Sequence, residues 1–179
     1  MDNQTTLFTS PQTAIKKDPE TRIVQEPLRI FVDGAARGNP GPAGAGIFIQ
    51  QAKKLVLAEG LFLGKKTNNQ AEYLALLLAV FFINTLFKEK KLAHTVLHFF
   101  SDSELLVKQM NGIYKVKNEQ LKALKGIIVE HLHGHKATFT HVFREKNTDA
   151  DALANLGVDE RKKVPTSFAK ILSDYGLHL

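Results

Sequence analysis

The sequence predicts an α/β fold, a five-stranded mixed sheet in the order β-β-β-α-β-α-β-α, flanked by helices. Three observations predict it. Three early apolar runs, 28–34, 45–51 and 55–63, are joined by short turn-forming segments, as in strands paired antiparallel. Two later runs, 95–100 and 137–143, are set apart by segments of helical periodicity, and strands joined through helices usually pair in parallel. The chain has 179 residues, 44% of them hydrophobic, enough for one domain with a sizeable core.

Each element has its own signal. Residues 1–27 are polar and aperiodic and read as a flexible tail. Pro27 closes it, and the main domain is expected over 28–157. Gly and Pro alternate quickly over 34–46, which calls for tight turns. Residues 51–54 suit a hairpin connection. Residues 64–69 form a polar loop with Asn68 as candidate N-cap. Over 70–87, Ala71, Leu74, Ala75, Leu78, Phe81 and Phe82 recur at helical spacing, and their number suggests burial on more than one side. A short helix is expected over 101–110, broken at Gly112, and an amphipathic one over 118–132, with Leu121, Leu124, Ile128 and Leu132 on one stripe. A last helix over 147–156 is expected to stop at Gly157. The extension 158–179 begins charged and ends with Phe168, Ile171, Leu172, Tyr175 and Leu177, an apolar set that a docked helix would bury.

Composition narrows the chemistry. The absence of cysteine removes disulfides and thiolate metal sites. The longest apolar stretch, 71–87, is interrupted by Glu72 and Asn84, so no membrane crossing is expected. The opening Met-Asp-Asn-Gln lacks the basic and apolar segments of a secretory signal, so a cytoplasmic location is expected. The net charge is +6; residues 1–27 carry −1, so the remainder carries +7. A basic domain suits a polyanionic partner.

Four acids stand out against that basic background. Asp33 ends the run Ile30-Phe31-Val32, and Asp102 follows Phe99-Phe100-Ser101. Glu72 lies in Thr67-Asn68-Asn69-Gln70-Ala71-Glu72, and Asp151 lies four residues after Asn147. Two sit at strand ends and two at helix starts, positions that can meet at one edge of a sheet. Gathered carboxylates repel unless cations neutralise them, and oxygen-only ligands suit Mg²⁺ or Mn²⁺ better than Zn²⁺. Taken singly, each acid also fits an ordinary turn, first-turn or capping role.

In these frames, together with Asp33-Gly34-Ala35-Ala36-Arg37-Gly38-Asn39-Pro40-Gly41, the chain resembles type 1 ribonuclease H over roughly 28–157. The resemblance implies the RNase H-like fold and a catalytic, metal-binding set of Asp33, Glu72, Asp102 and Asp151. It implies two Mg²⁺ ions, or Mn²⁺, about 3.5–4 Å apart on the scissile phosphate. The implied reaction is hydrolysis of the RNA strand of RNA/DNA hybrids to 5′-phosphate and 3′-hydroxyl products. The implied substrate contacts are Gly34, Asn39, Asn68 and Asn69, with Thr67 on a DNA-strand phosphate.

Three departures mark a loop-shortened branch of that family. Glu104 stands where many members carry Gln. The link 114–118 replaces a basic, Trp-containing protrusion, leaving Lys115, Lys117, Lys122 and Lys125 as candidate basic surface. Phe143-Arg144-Glu145-Lys146-Asn147 replaces a longer His-bearing loop, with Arg144 or Glu145 as candidate auxiliary residues. His131, His133, His135 and His141 lack a ligand frame and read as helix-end and strand residues rather than a zinc site. The alternatives are a non-catalytic hybrid-binding module, a same-fold nuclease acting on double-stranded RNA, or a piece of a reverse transcriptase polyprotein. In the tail, Gln4-Thr5-Thr6-Leu7-Phe8 resembles the short peptide that docks on bacterial sliding clamps, through Gln4, Leu7 and Phe8.

Overall fold

The structure is a computed structural model that describes residues 26–93 and 95–179. The tail and its Gln4, Leu7 and Phe8 lie outside the described residues.

Strand β1 (Leu28–Ala36) holds the centre of the sheet. It pairs antiparallel with β2 (Gly41–Gln51), which pairs antiparallel with β3 (Lys54–Lys66). On its other side β1 pairs parallel with β4 (Leu97–Ser101), and β4 pairs parallel with β5 (Ala137–His141). The order is β3-β2-β1-β4-β5, the mixed five-stranded sheet expected. Ala52 and Lys53, with φ of 47° and 64°, make the two-residue hairpin between β2 and β3.

Helix α1 (Asn68–Lys88) packs on β1 and β2 and is backed by α3 (Glu119–His131). Ala71, Leu74, Leu78 and Ile83 are among its buried residues. By length and composition α1 is apolar enough to cross a bilayer, but here it is the core helix of the domain. Helix α2 (Glu104–Met110) sits against β4 and β5. Helix α4 (Thr148–Glu160) lies on the opposite face, across β1, β2 and β3.

Two glycines allow the helices to approach this closely. A Cβ on Gly34 would fall 2.1 Å from the Glu72 backbone nitrogen, so the first turn of α1 rests directly on β1. A Cβ on Gly46 would fall 1.9 Å from the Ala150 carbonyl oxygen, so α4 rests directly on β2. Gly46 pairs with Asp33, and Ala45 with Gly34, so alternation sends these two contacts to opposite faces.

Several boundaries differ from the sequence reading. Strand β2 begins at Gly41 rather than 45, because its small residues Ala43, Gly44 and Ala45 meet α4 and the core rather than forming a turn. The N-cap of α1 is Thr67, not Asn68: Thr67 Oγ1 accepts from the Gln70 N–H at 3.3 Å, and Gln70 Oε1 accepts from the Thr67 N–H at 2.8 Å. Ser103 caps α2, and Asn118 caps α3. Helix α4 runs through Gly157, which is buried against β3, and ends at Arg161 in the left-handed conformation (φ 54°). Here packing outweighs glycine's weak helix propensity.

The C-terminal extension packs against the rest of the chain. The Phe62 N–H donates to the Lys162 carbonyl at 2.7 Å, so the chain straps the exposed edge of β3. It then forms α5 (Thr166–Asp174), whose Phe168 and Leu172 are buried. The Phe168 ring meets Phe81 of α1 edge-on at 5.6 Å.

Candidate metal centre

The parallel pair β1–β4 delivers two of the four acids side by side. Asp33 lies near the end of β1, and Asp102 directly follows β4. Glu72 arrives from the first turns of α1, across the Gly34 contact. One oxygen from each of Asp33, Glu72 and Asp102 lies within 4.8 Å of the others. Asp33 is only 6% exposed.

Electrostatics in this cluster are unfavourable for three negative charges. The Asp33 carboxyl is pushed up to about 7, first by burial, then by the neighbouring Asp102, as a charge and as a hydrogen-bond partner, and by Asp151, against a lowering by Arg144. Burial raises Glu72 well above the usual carboxylate range, aided by Asp33 and Asp102 and opposed by a hydrogen bond from the Gly34 N–H. Glu72 Oε2 is buried with no hydrogen-bond partner. A buried, orphaned carboxylate oxygen beside two more acids is a poor state for a protein alone and a good one for a divalent cation. The donor set is all oxygen, which fits Mg²⁺ or Mn²⁺.

Asp151 stands to one side. Its carboxylate is ion-paired with Arg144, from the single 3₁₀ turn Arg144–Lys146. It is near enough to Asp33 to raise that group's pKa, yet its own charge already has a partner. Of the two auxiliary candidates, Arg144 thus touches an acid of the set. Glu145 lines a shallow cleft of about 230 Å³ with Arg144, Thr148 and Asp151.

Asn147 joins these parts. It is 1% exposed, and its Nδ2 donates to the Val32 carbonyl and to Asp102 Oδ1, each at 3.0 Å. The sequence flagged Asn147 only as part of a frame; bonds to residues 115 and 45 positions away carry no local signal.

The candidate substrate residues lie on β1, the β1–β2 turn and the start of α1. Gly34 is buried under α1, where it serves the helix approach. Asn39 Oδ1 accepts from the Asn68 N–H at 3.1 Å, tying the β1–β2 turn to the start of α1. Asn39, Asn68 and Asn69 are exposed, while Thr67 is half-buried in its capping box. The candidate basic surface is smaller than the sequence suggested. Lys125 is partly buried and donates to the Gln109 carbonyl, and Lys122 lies 3.8 Å from Glu119. Lys115 and Lys117 remain exposed. Glu104 pairs with Lys108 at 2.6 Å. His131 Nδ1 lies 2.9 Å from the Ile127 carbonyl and His135 Nε2 3.1 Å from Asn84 Oδ1, and no histidine joins a ligand group among the described residues.

Known proteins resemble this chain in sequence and fold. A family model described as "Reverse transcriptase-like" matches residues 31–157. A protein of Halobacterium salinarum named ribonuclease HI is 36% identical over 135 residues, covering 74% of this chain and 65% of that protein. A ribonuclease H of Paramagnetospirillum magneticum is 31% identical over 157 residues, covering 78% of this chain and 94% of that protein. The crystal structure of LC11-RNase H1 in complex with RNA/DNA hybrid superposes with a TM-score of 0.68 at 38% identity, over 74% of this chain and 97% of that one. The chain spans about two thirds of the Halobacterium protein and only 35% of a bifunctional protein of Mycobacterium tuberculosis that is 40% identical over the shared part.

Proposed function

Since this chain belongs to the ribonuclease H family, with its reverse transcriptase-like domain over 31–157, we propose that it is an endonuclease that hydrolyses the RNA strand of RNA/DNA hybrids. The observation that carries this reading is the gathering of Asp33, Glu72 and Asp102 within 4.8 Å at the end of the two central parallel strands, with Asp151 beside them.

In this reading Asp33, Glu72, Asp102 and Asp151 hold Mg²⁺, or Mn²⁺ in its place. Bound there, the cations supply charge neutralisation at the phosphodiester and a more acidic attacking water. The protein's own residues do the rest. Asp33, which feels the charges of both Asp102 and Asp151, would be a ligand in that set. Gly34 lets Glu72 reach the same point, and the packing of α4 on β2 brings Asp151 to its flank. Products carry 5′-phosphate and 3′-hydroxyl ends, as the RNA strand is cut on the 3′-oxygen side. Discrimination of hybrid from duplex DNA falls to short polar groups that read 2′-hydroxyls across a shallow minor groove. Asn39, Asn68 and Asn69 are exposed and would suit that task, and Thr67, at the start of α1, would take a DNA-strand phosphate. The +6 net charge favours the polyanion at long range. A separate contact with a sliding clamp through Gln4, Leu7 and Phe8 is testable by deleting residues 1–10, which should abolish clamp binding and spare cleavage.

The test uses labelled RNA/DNA, RNA/RNA, DNA/DNA and single-stranded RNA with Mg²⁺, Mn²⁺ or chelator. Cleavage confined to the RNA of the hybrid, lost in chelator and in Asp102→Asn, is the expected result. Cleavage retained in Asp102→Asn would remove the proposed centre, and cleavage of double-stranded RNA at an equal rate would replace the substrate.

A further inference from the structure

Asn147 is an uncharged residue hydrogen-bonded to β1, to Asp102 and to the start of α4. Its Nδ2 donates to the carbonyl of Val32, the residue before Asp33, and to Asp102 Oδ1. Its own carbonyl accepts from the Asp151 N–H at 3.0 Å, and its N–H donates to the Arg144 carbonyl at 2.9 Å. One residue thus fixes β1 to the residue after β4 and anchors the first turn of α4.

The chemistry of the two side-chain partners sets the amide's orientation. Both are acceptors, a carbonyl and a carboxylate. Turning the amide over would set oxygen against oxygen twice, so the NH₂ group must face them. The cost is visible: Asn147 Oδ1 is left buried with no partner. An unsatisfied buried carbonyl is destabilising. An apolar side chain here would avoid that orphaned oxygen, but it would take the donor away from the Val32 carbonyl and from Asp102. What only a neutral double donor supplies is a fixed Asp102 that keeps its full negative charge and its other oxygen. A lysine or arginine at this place would orient Asp102 too, but would cancel the charge that attracts a cation.

We propose that Asn147 is a positioning residue that sets the cation affinity of the acid cluster, by holding Asp102 against Asp33 and docking the helix that carries Asp151. The inference rests on the metal-dependent reading above and deepens it. Groups that hold metal ligands in place typically govern affinity by about 10–100-fold.

The test reads metal binding without substrate. Free Mn²⁺ is measured by electron paramagnetic resonance against the full chain, wild type and Asn147→Ala, below the melting temperature of both. The expected result is Mn²⁺ binding weaker by about 10-fold or more in the variant. In hybrid cleavage the Mg²⁺ half-saturation point should rise in parallel, while the rate at saturating Mg²⁺ recovers to within a few-fold of wild type. Asn147→Ser keeps one hydroxyl donor and should fall between the two; it also serves as the readable variant should Asn147→Ala not fold. Folded variants with wild-type Mn²⁺ affinity would overturn the proposal, whatever their melting temperatures. Failure of both to fold would overturn it as well, leaving Asn147 a folding determinant only. A wild type that binds Mn²⁺ yet cuts no hybrid would instead sink the nuclease reading and leave this inference standing.

Discussion

The two halves of the acid site are built on opposite electrostatic terms. Asp33, Glu72 and Asp102 crowd together, Asp33 buried and the other two half-buried, with a buried Glu72 oxygen that has no partner and an Asp33 carboxyl pushed up to about 7. Asp151, on α4, is 26% exposed and already paired with a guanidinium that is itself 72% exposed. The first half is under tension that only protons or cations relieve. The second is satisfied, and its partner sits in solvent where exchange is cheap. The comparison teaches which half demands a cation and which accepts one.

The strongest way to break the comparison is to pull the halves apart. In Gly46→Ala the new methyl would lie 1.9 Å from the Ala150 carbonyl and 2.5 Å from the Ala154 nitrogen. Backbone cannot yield as a flexible side chain does, so α4 must lift from β2 and carry Asp151 away from Asp33. We expect a loss of about 3 kcal/mol in denaturant unfolding, with hybrid cleavage falling at least in proportion. Wild-type stability would show that the close approach of α4 is dispensable.

Proton uptake should reveal the tension in the buried half directly. Folded Asp33 keeps its proton up to about pH 7, whereas the ordinary carboxyl releases it at 3.8. Between those values the native state binds the extra proton, so the metal-free protein should grow more stable as pH falls through 7 toward 4. Glu72 shifts in the same direction and adds to the trend. The gain from Asp33 is on the order of 2–4 kcal/mol. Melting temperatures in chelator across this range give the slope, and saturating Mg²⁺ should flatten it by removing the reason to bind protons. A slope of opposite sign attributable to Asp33 would contradict the crowded geometry.

Glu72→Gln sharpens the same point with a single atom change. The amide oxygen can still accept from the Gly34 N–H, while the NH₂ faces Asp33 and Asp102 as a donor. Removing one buried charge should stabilise the metal-free protein by about 1–2 kcal/mol, or some 2–8 °C in melting temperature for a chain of this size. Cleavage should be lost in the same variant. A destabilised variant would mean that Glu72 is held by favourable contacts rather than against repulsion.

Much of this site was legible because its acids sit where local patterns change: Asp33 at the end of an apolar run, Asp102 after another, Glu72 and Asp151 at helix starts. What was missed depended on distance or on competition between neighbours. Thr67-Asn68-Asn69-Gln70 contains the Thr-x-x-Gln capping box, a signal available in the sequence that favoured Thr67 over Asn68. The start of β2 was obscured because Gly41 and Gly44 read as turn residues, when they are strand positions, Gly44 pressed against α4. Gly157 misled in the same way at the other side of that contact. Lys125 looked like a free surface cation until folding brought the Gln109 carbonyl to it. The bonds of Asn147 follow from the tertiary fold alone.

The smallest expected effect belongs to the satisfied half. Arg144→Gln removes the partner of Asp151, but both groups are reached by solvent. Water and salt replace such a partner readily, so stability should change by less than about 1 kcal/mol. The consequence appears in the other half instead. Arg144 is the group that lowers the Asp33 pKa, so its loss should move the Asp33 titration upward from about 7. Carboxyl chemical shifts in the metal-free protein can follow this one group through its titration. Unchanged titration with a large loss of stability would invert the comparison, making the Arg144 pair a structural tie and leaving the buried cluster indifferent to it.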